Sequence, residues 1–149
     1  MGMLILFVFS SKKFENLIVS YIKTIRYKME EQEDYTLYVV VNDDLGMSKG
    51  KIASQVGHVV ENITTKMAMM LYNYPNNHLS LNYKKYSESG NKKIVLKASQ
   101  KELEELTNEK DSVYITDAGR TQVALNSLTA VGFLPSNKNK KRFSKLKLL

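Results

Sequence analysis

Short β-branched runs alternate with longer stretches of helical periodicity from about residue 35 onward. The run Thr36 to Val41 contains no breaker and predicts a buried strand. From Lys49 to about Tyr72, apolar side chains recur on one face, which predicts a long helix packed on a sheet, with Ser48 as its N-cap. The apolar positions of that face are Ile52, Val56, Val59, Val60, Ile63, Met67, Met70 and Leu71.

The remaining chain repeats this alternation in shorter units. Pro75-Asn76-Asn77 ends the long helix, and a short polar helix is predicted over Leu79 to Ser87. Ser99 and Glu102 have the spacing of a capping box, which predicts a helix that runs to about Glu109. Further strands are predicted over Ile94 to Ala98, Ser112 to Thr116 and Leu128 to Phe133. Strands that alternate with helices indicate an α/β fold with one layered sheet.

Residues 1–34 form a leader with a different pattern. The apolar run Met3 to Phe9 is far shorter than the ~20 residues of a membrane-spanning helix, and it lacks the flanks of a secretory signal. The spacing of apolar residues predicts an amphipathic helix over 13–28. Contact with a membrane surface is an open but disfavoured role for this helix, and a start of translation at Met29 is the alternative. The chain therefore divides into this leader and one domain, 35–149.

The chain carries an excess of positive charge that lies outside the leader. The 149 residues have a formal net charge of +7, and the five basic and five acidic side chains of residues 1–34 cancel. Basic residues crowd the end of the chain without one carboxylate: Lys138, Lys140, Lys141, Arg142, Lys145 and Lys147. Such an excess favours a polyanionic partner through Coulomb attraction and counterion release. A lysine-rich surface that is merely solvated explains the same charge equally well.

The long helix carries a polar stripe beside its apolar face. At 100° per residue, Lys51, Gln55, His58 and Asn62 lie on one narrow side of the helix. A stripe at the margin of a packed face can line a cleft. The alternative from periodicity alone is an ordinary solvated side of the helix.

A second polar group follows the third predicted strand. Asp117 ends that strand, and Gly119 gives the backbone the freedom to turn sharply. Asp117 and Thr121 can then face one cleft, with Arg120 free to meet phosphate. The same residues also fit a common Asx turn without a function. Ends of strands in open α/β sheets are where ligands usually bind, which favours a site here.

Three other motifs fail on physical grounds. Gly46 to Gly50 matches the nucleophile-elbow pattern Gly-x-Ser-x-Gly, but both histidines precede Asp117, the reverse of the chain order in that hydrolase class. The same region lacks the spacing of a phosphate-binding P-loop, and Ile52 replaces its Ser or Thr. His58 and His78 are isolated and the chain has no cysteine, so the sequence predicts no metal site, no disulfide and no cofactor.

Two blocks of the sequence, in this order, resemble the signature blocks of the second class of peptidyl-tRNA hydrolases. They are Met47 to His58, which reads Met-Ser-Lys-Gly-Lys-Ile-Ala-Ser-Gln-Val-Gly-His, and Asp117 to Gln122, which reads Asp-Ala-Gly-Arg-Thr-Gln. The resemblance covers roughly Tyr35 to Leu149 and includes the segments Val41 to Met47, Gly90 to Lys97 and Leu146 to Leu149. The chain departs from the family at Tyr86, where many members carry Trp, and at Gly132-Phe133-Leu134-Pro135, where Gly-Ile-Gly-Pro is commoner.

The resemblance implies a fold, an activity and a set of site residues. The fold is a single-domain, four-stranded mixed sheet flanked by helices, often dimeric. The activity is cytoplasmic hydrolysis of the ester between a peptide and the 3′-terminal ribose of tRNA, which recycles the tRNA without a cofactor. The family's active-site positions carry over as Lys51, Gln55, Asp117, Thr121 and Thr129. We expect Lys49, His58 and Arg120 to contribute to substrate binding.

Individual roles within this set are hypotheses. Asp117, alone or with Thr121, is the candidate for positioning the attacking water, and Lys51 for stabilising the oxyanion or binding the 3′-terminal phosphate. Gln55 and Thr129 would place the substrate. An ordinary aspartate pKa near 3.9 makes a weak base, so burial would have to raise the pKa if Asp117 abstracts a proton. The alternative function is a basic RNA-binding or protein-interaction module that no longer catalyses.

Overall fold

The computed structural model describes residues 12–25 and 34–149, which belong to two separate compact units. Residues 12–25 are helical and are labelled α1. The apolar side chains of α1 are exposed: Phe14, Leu17, Ile18, Val19, Tyr21, Ile22 and Ile25. The run Met3 to Phe9, the end of the helix predicted over 13–28, and Met29 lie outside the described residues. Within the described ranges, no helix has the length and hydropathy that crossing a membrane requires.

The second unit alternates strands and helices, as the sequence predicts. Its elements are β1 (Thr36–Asn42), α2 (Lys49–Asn73), α3 (His78–Glu88), β2 (Lys93–Ala98), α4 (Gln100–Thr107), β3 (Ser112–Thr116), β4 (Leu128–Ser136), α5 (Asn139–Arg142) and β5 (Lys147–Leu148). The predicted caps are confirmed. Ser48 accepts a hydrogen bond from the Lys51 backbone N–H, and Ser99 and Glu102 form the reciprocal capping box. The mixed α/β fold is confirmed.

The sheet has five strands, in the order β3-β4-β1-β2-β5, where the resemblance implied four. β1 runs parallel to β2 and antiparallel to β4, while β3 and β5 pair antiparallel at the two edges. The extra strand is β5, which pairs Leu148 with Leu96 and Lys147 with Lys97. Two residues are too short to produce an alternating pattern in the sequence. Their pairing depends on the fold, because Leu146 packs into the core beside β2 and brings the chain end alongside it.

Helices cover both faces of the sheet. Every residue of β1 is buried, as expected for a central strand with a packed layer on each side. Leu37, Val39 and Val41 face a core formed with α2 and α3, and Tyr38 and Val40 face a second core formed with α4 and α5. Successive side chains of β1 point to opposite faces of the sheet, so alternate residues belong to different cores.

Neither departure from the family disturbs these cores. Tyr86 is buried, and its hydroxyl donates to the Asn91 carbonyl oxygen at 3.2 Å. Leu134 and Pro135 continue β4 to Ser136, so this strand extends beyond the predicted end at Phe133.

Gly132 lets α2 approach the sheet closely. A Cβ at this position would lie 2.7 Å from Cδ1 of Ile63 and closer still to Cγ1 of Val59, and both of these side chains are fully buried. Val59 is β-branched and has little rotamer freedom with which to move aside.

We expect Gly132→Ala to destabilise the fold by about 1–3 kcal/mol, because a methyl group must be forced into a filled interface. Gly57→Ala is the matched control. A Cβ at Gly57 meets nothing within 4 Å, so alanine should stabilise the interior of α2 by about 1 kcal/mol or less. Urea unfolding of both variants measures the two effects. Equal stability of wild type and Gly132→Ala would contradict close packing at this position.

Candidate active site

The polar residues singled out from the sequence meet at the carboxyl end of β1. The α2 helix starts close to this end, after the loop that follows Asn42. β3 ends and β4 begins beside it, since Ile115 of β3 and Val41 of β1 both pair with Ala130 of β4. The segment 117–127, here called the site loop, connects these two strands. Helix, strand and loop thus present side chains to one place.

The Asp117 carboxylate is the centre of the site. Its Oδ2 accepts hydrogen bonds from the Lys51 ammonium and from Gln55 Nε2, the latter at 2.8 Å. Its Oδ1 accepts from the Gly119 backbone N–H at 2.8 Å. The side chains of Asp117 and Lys51 are only 6% and 11% exposed, so this ion pair is largely removed from water. Lys51 and Gln55 can both reach the carboxylate because they are one helical turn apart on α2.

Two threonines extend the network. Thr121 Oγ1 accepts from Lys51 Nζ at 3.3 Å. Thr129 Oγ1 lies 2.8 Å from Gln55 Oε1 and 3.1 Å from the carbonyl oxygen of Ile115. Because the carboxylate of Asp117 only accepts hydrogen bonds, Gln55 must point its NH₂ group towards it and its oxygen towards the Thr129 hydroxyl. The structure therefore links all five predicted active-site residues in one hydrogen-bonded network.

The pKa of Asp117 is lowered from its ordinary value. The main cause is the hydrogen bond from Lys51, and the Gly119 N–H and Gln55 act in the same direction. Burial acts in the opposite direction but does not prevail. Proton abstraction by Asp117 would need a raised pKa, whereas the pKa of this residue is lowered. Asp117 is held as a carboxylate that accepts hydrogen bonds.

The backbone of the site loop depends on Gly119. This residue has a φ of +70°, and a Cβ would lie 2.9 Å from the backbone of Leu125. Glycine is therefore required both by the left-handed conformation and by the close approach. The loop is closed at its base, where the Asp117 N–H donates to the Ser127 carbonyl oxygen at 2.9 Å.

Gln122 has no role predicted from the sequence, although its side chain joins the site loop to Ser48 at the start of α2. Its Oε1 accepts from the Ser48 backbone N–H at 3.0 Å, and its Nε2 donates to Ser48 Oγ at 2.8 Å. We call this pair of hydrogen bonds the Gln122–Ser48 clasp. The only indication of this contact in the sequence is that Ser48 and Gln122 each lie in one of the two blocks that resemble the family.

Asn42 is a second residue without a predicted role. It is buried at the end of β1, and its Nδ2 donates to the Leu128 carbonyl oxygen at 2.8 Å and to Gln100 Oε1. It thereby fixes the start of β4, immediately before Thr129, against the start of α4.

The three predicted substrate-binding residues do not join the network. Lys49, His58 and Arg120 are exposed, and the structure shows no hydrogen bond or ion pair from their side chains to other described residues. Lys49 and Arg120 are close in sequence to Lys51 and Thr121. Across residues 12–25 and 34–149, no group of three or more His, Cys, Asp or Glu side chains could hold a metal ion.

Comparisons with known proteins find several relatives of this chain. A family model described as peptidyl-tRNA hydrolase PTH2 matches residues 35–149. A protein of Methanococcus maripaludis (strain C7) named peptidyl-tRNA hydrolase is 36% identical over 112 residues, which is 71% of this chain and 90% of the relative. One of Methanococcus vannielii with the same name is 35% identical over 123 residues, or 77% and 99% of the two chains. Peptidyl-tRNA hydrolase 2 of Saccharomyces cerevisiae is 36% identical over 110 residues, or 67% and 50%.

The lowered pKa of Asp117 has a measurable dependence on Lys51. We expect its carboxyl ¹³C resonance to titrate below the ordinary value of about 3.9. Lys51→Met removes the largest cause of the lowered pKa, so the midpoint should rise above that of wild type. Lys49→Met, which removes the same charge from an exposed neighbour, should leave the midpoint close to that of wild type.

The sign of the effect on stability follows from the lowered pKa. A depressed folded-state pKa stabilises the fold above the unfolded-state pKa, and this contribution is lost as the pH falls through the folded-state pKa. Stability should therefore decline more steeply below about pH 4 in wild type than in Lys51→Met. A wild-type midpoint above 3.9 would contradict the Lys51 effect.

Proposed function

The chain belongs to the peptidyl-tRNA hydrolase PTH2 family, and from this premise we infer that the network around Asp117 is its catalytic site. The protein is a peptidyl-tRNA hydrolase, which cleaves the ester between a peptide and the 3′-terminal ribose of tRNA and so recycles the tRNA. The observation that supports the site is the network of Lys51, Gln55, Asp117, Thr121 and Thr129.

Lys51 is the candidate for stabilising negative charge. In ester hydrolysis, water adds to the carbonyl carbon and a tetrahedral oxyanion forms before the bond to the ribose oxygen breaks. An ammonium group has three donors, and Asp117 and Thr121 accept two of those on Lys51. The third donor is therefore available for the oxyanion. Because the Lys51 side chain is only 11% exposed, the interaction of its ammonium with this charge is screened less than at an open surface.

Asp117 is the candidate for holding the attacking water in place. Its two oxygens offer about four lone-pair directions, of which Lys51, Gln55 and the Gly119 N–H occupy three. A water that donates to the remaining direction on Oδ1 is oriented without losing its proton to the carboxylate. The attacking water gives up one proton as its oxygen bonds to the carbonyl carbon. When the ester bond breaks, the ribose oxygen takes up that proton and leaves as the 3′-hydroxyl, and the peptide leaves as the carboxylic acid. This role agrees with the lowered pKa, whereas proton abstraction in the ground state does not.

A non-catalytic RNA-binding or interaction module is the second candidate function. Its supporting observation is the net charge of +7, which fits a polyanion whether or not the protein catalyses. Such a module has no requirement for a largely buried Lys51–Asp117 pair, which is expensive to desolvate. Turnover separates the two candidates directly.

Purified full-length protein should release free tRNA from N-blocked aminoacyl-tRNA, with the same rate when a chelator is present. Asp117→Ala should lower kcat by about 10²-fold or more, because both the water position and the partner of Lys51 are lost. The matched control is Asp43→Asn, which removes an exposed carboxylate that pairs with Lys97 at 3.0 Å. It should keep kcat within about threefold of wild type. A folded Asp117→Ala variant with full turnover would remove this residue from the mechanism.

We propose that the phosphates of the tRNA end meet Lys49 and Arg120 at the margin of the site. The basic tail is less suited than its charge count suggests. Arg142 forms a bidentate pair with Asp111 at 2.8 and 3.0 Å, and its guanidinium lies 4.5 Å from the ring centre of Phe133. Its charge is therefore already paired within the protein.

Two of the tail lysines lie at the opposite end of the sheet from the site. Lys138 and Lys141 follow Ser136, which pairs with Thr36 at the start of β1. The seven residues of β1 rise about 3.3 Å each, so this end is roughly 20 Å from the site.

Salt dependence tests this footprint. Each phosphate contact releases counterions, so a plot of log KM against log salt concentration should rise for wild type. The Lys49→Gln/Arg120→Gln double variant should lower the slope of this plot by about 1–2. The Lys138→Gln/Lys141→Gln double variant removes the same charge and should change the slope by less than about half of that amount. The opposite ranking would place the footprint on the tail.

We further propose that residues 35–149 form the hydrolase domain and that it works in the cytoplasm, where fractionation should recover it. A homodimer and membrane contact through the exposed apolar side chains of α1 are additional proposals. Analytical ultracentrifugation measures the first, and co-sedimentation of full-length protein with liposomes measures the second. A monomer at micromolar concentration, or protein that stays in the supernatant, would remove the respective proposal.

A further inference from the structure

A strained turn holds Thr121 beside Lys51. The Val123 backbone N–H donates to the Thr121 carbonyl oxygen at 2.8 Å and closes a three-residue turn around Gln122. Gln122 has a φ of 63°, in the left-handed region that glycine prefers. A γ-turn with positive φ at its centre is rare and strained. Such a conformation persists only where the surrounding structure holds it.

The Gln122–Ser48 clasp supplies that constraint. Both hydrogen-bonding groups of the Gln122 amide bind Ser48, which is the cap of α2. Ser48 Oγ also accepts from the Lys51 backbone N–H at 3.3 Å. One side chain thus connects the turn that presents Thr121 to the first turn of the helix that presents Lys51.

We propose that Gln122 is a positioning residue for ester hydrolysis, which acts by holding the Thr121 hydroxyl against the Lys51 ammonium. The inference rests on the proposed function and adds to its catalytic site. The contact between Thr121 Oγ1 and Lys51 Nζ is long, at 3.3 Å, and Thr121 is exposed, so packing does little to fix it. Asp117 is anchored by its own hydrogen bonds to Lys51 and Gln55. Loss of the clasp should therefore displace Thr121 while Asp117 stays in place.

The Gln122→Gly variant of the full-length protein separates positioning from stability. Glycine adopts positive φ without strain, so relief of the turn offsets the lost hydrogen bonds, and the melting temperature should stay close to that of wild type. The kcat for N-blocked aminoacyl-tRNA should fall by about 10- to 100-fold, with KM within about threefold. Thr121 orients the Lys51 ammonium, and the oxyanion that this ammonium stabilises forms only after the substrate is bound.

Asn126→Gly is the matched control. Asn126 lies in the same loop with a φ of 64°, and its side chain makes no hydrogen bond to another described residue. Glycine there relieves the same conformation but leaves the clasp intact, so kcat should stay within about threefold of wild type.

Gln122→Glu is the conservative variant. The new carboxylate can still accept from the Ser48 N–H and can also accept from the Ser48 hydroxyl. Its kcat should therefore remain within about threefold of wild type, although KM for a polyanion can rise. If Gln122→Gly fails to fold, Gln122→Asn replaces it. Asparagine tolerates positive φ, but its amide is one methylene too short to reach Ser48, so the same loss of kcat is expected.

Each result has a defined meaning. A folded Gln122→Gly variant with kcat within threefold of wild type overturns the proposal. An equal loss of kcat in Asn126→Gly or in Gln122→Glu also overturns it, because the clasp is then not the cause. An inactive wild-type protein overturns the proposed function and this inference with it. An active wild type beside an equally active Gln122→Gly variant overturns the inference alone.

Discussion

A lysine and an aspartate that are nearly cut off from water hold the functional end of this sheet together. The side chains of Lys51 and Asp117 are 11% and 6% exposed, and burying two charges to this degree is favourable only if hydrogen bonds replace the lost water. Gln55, Thr121 and the Gly119 N–H supply these bonds. The start of α2, the site loop and the first residues of β4 must therefore keep their relative positions, since a small shift would leave a charge without its partner.

The extent to which the sequence predicts this structure depends on how local each signal is. Apolar periodicity and capping residues predicted α2, α4 and four strands, because these signals lie within one element. The two-residue β5 has no pattern of its own. The resemblance predicted all five residues of the network. Of these five, the polar stripe on the long helix predicted only that Lys51 and Gln55 lie on the same side of the helix. Gln122 and Asn42 went unassigned because Ser48 and Leu128, their partners, are 74 and 86 positions away.

Charge in this protein is easier to count than to interpret. The sequence concentrates basic residues in the tail, yet Arg142 neutralises Asp111 and lies against Phe133 and Phe143. Likewise, burial of Asp117 by itself would suggest a base with a raised pKa, but Lys51 reverses the direction of the shift. In both cases the nearest partner determines what a charged group does, and sequence composition contains no information about that partner.

The close packing at Gly132 has a mechanical consequence for the site. The α2 helix rests on β4 through Val59 and Ile63, which are one and two helical turns beyond Gln55. A helix of 25 residues behaves as a nearly rigid rod, so any tilt or roll forced at this contact is transmitted to Lys51. The absence of a side chain at Gly132 thus determines how the residues at the start of α2 are oriented. Sequence changes in this part of the core can alter the reaction without touching any polar group.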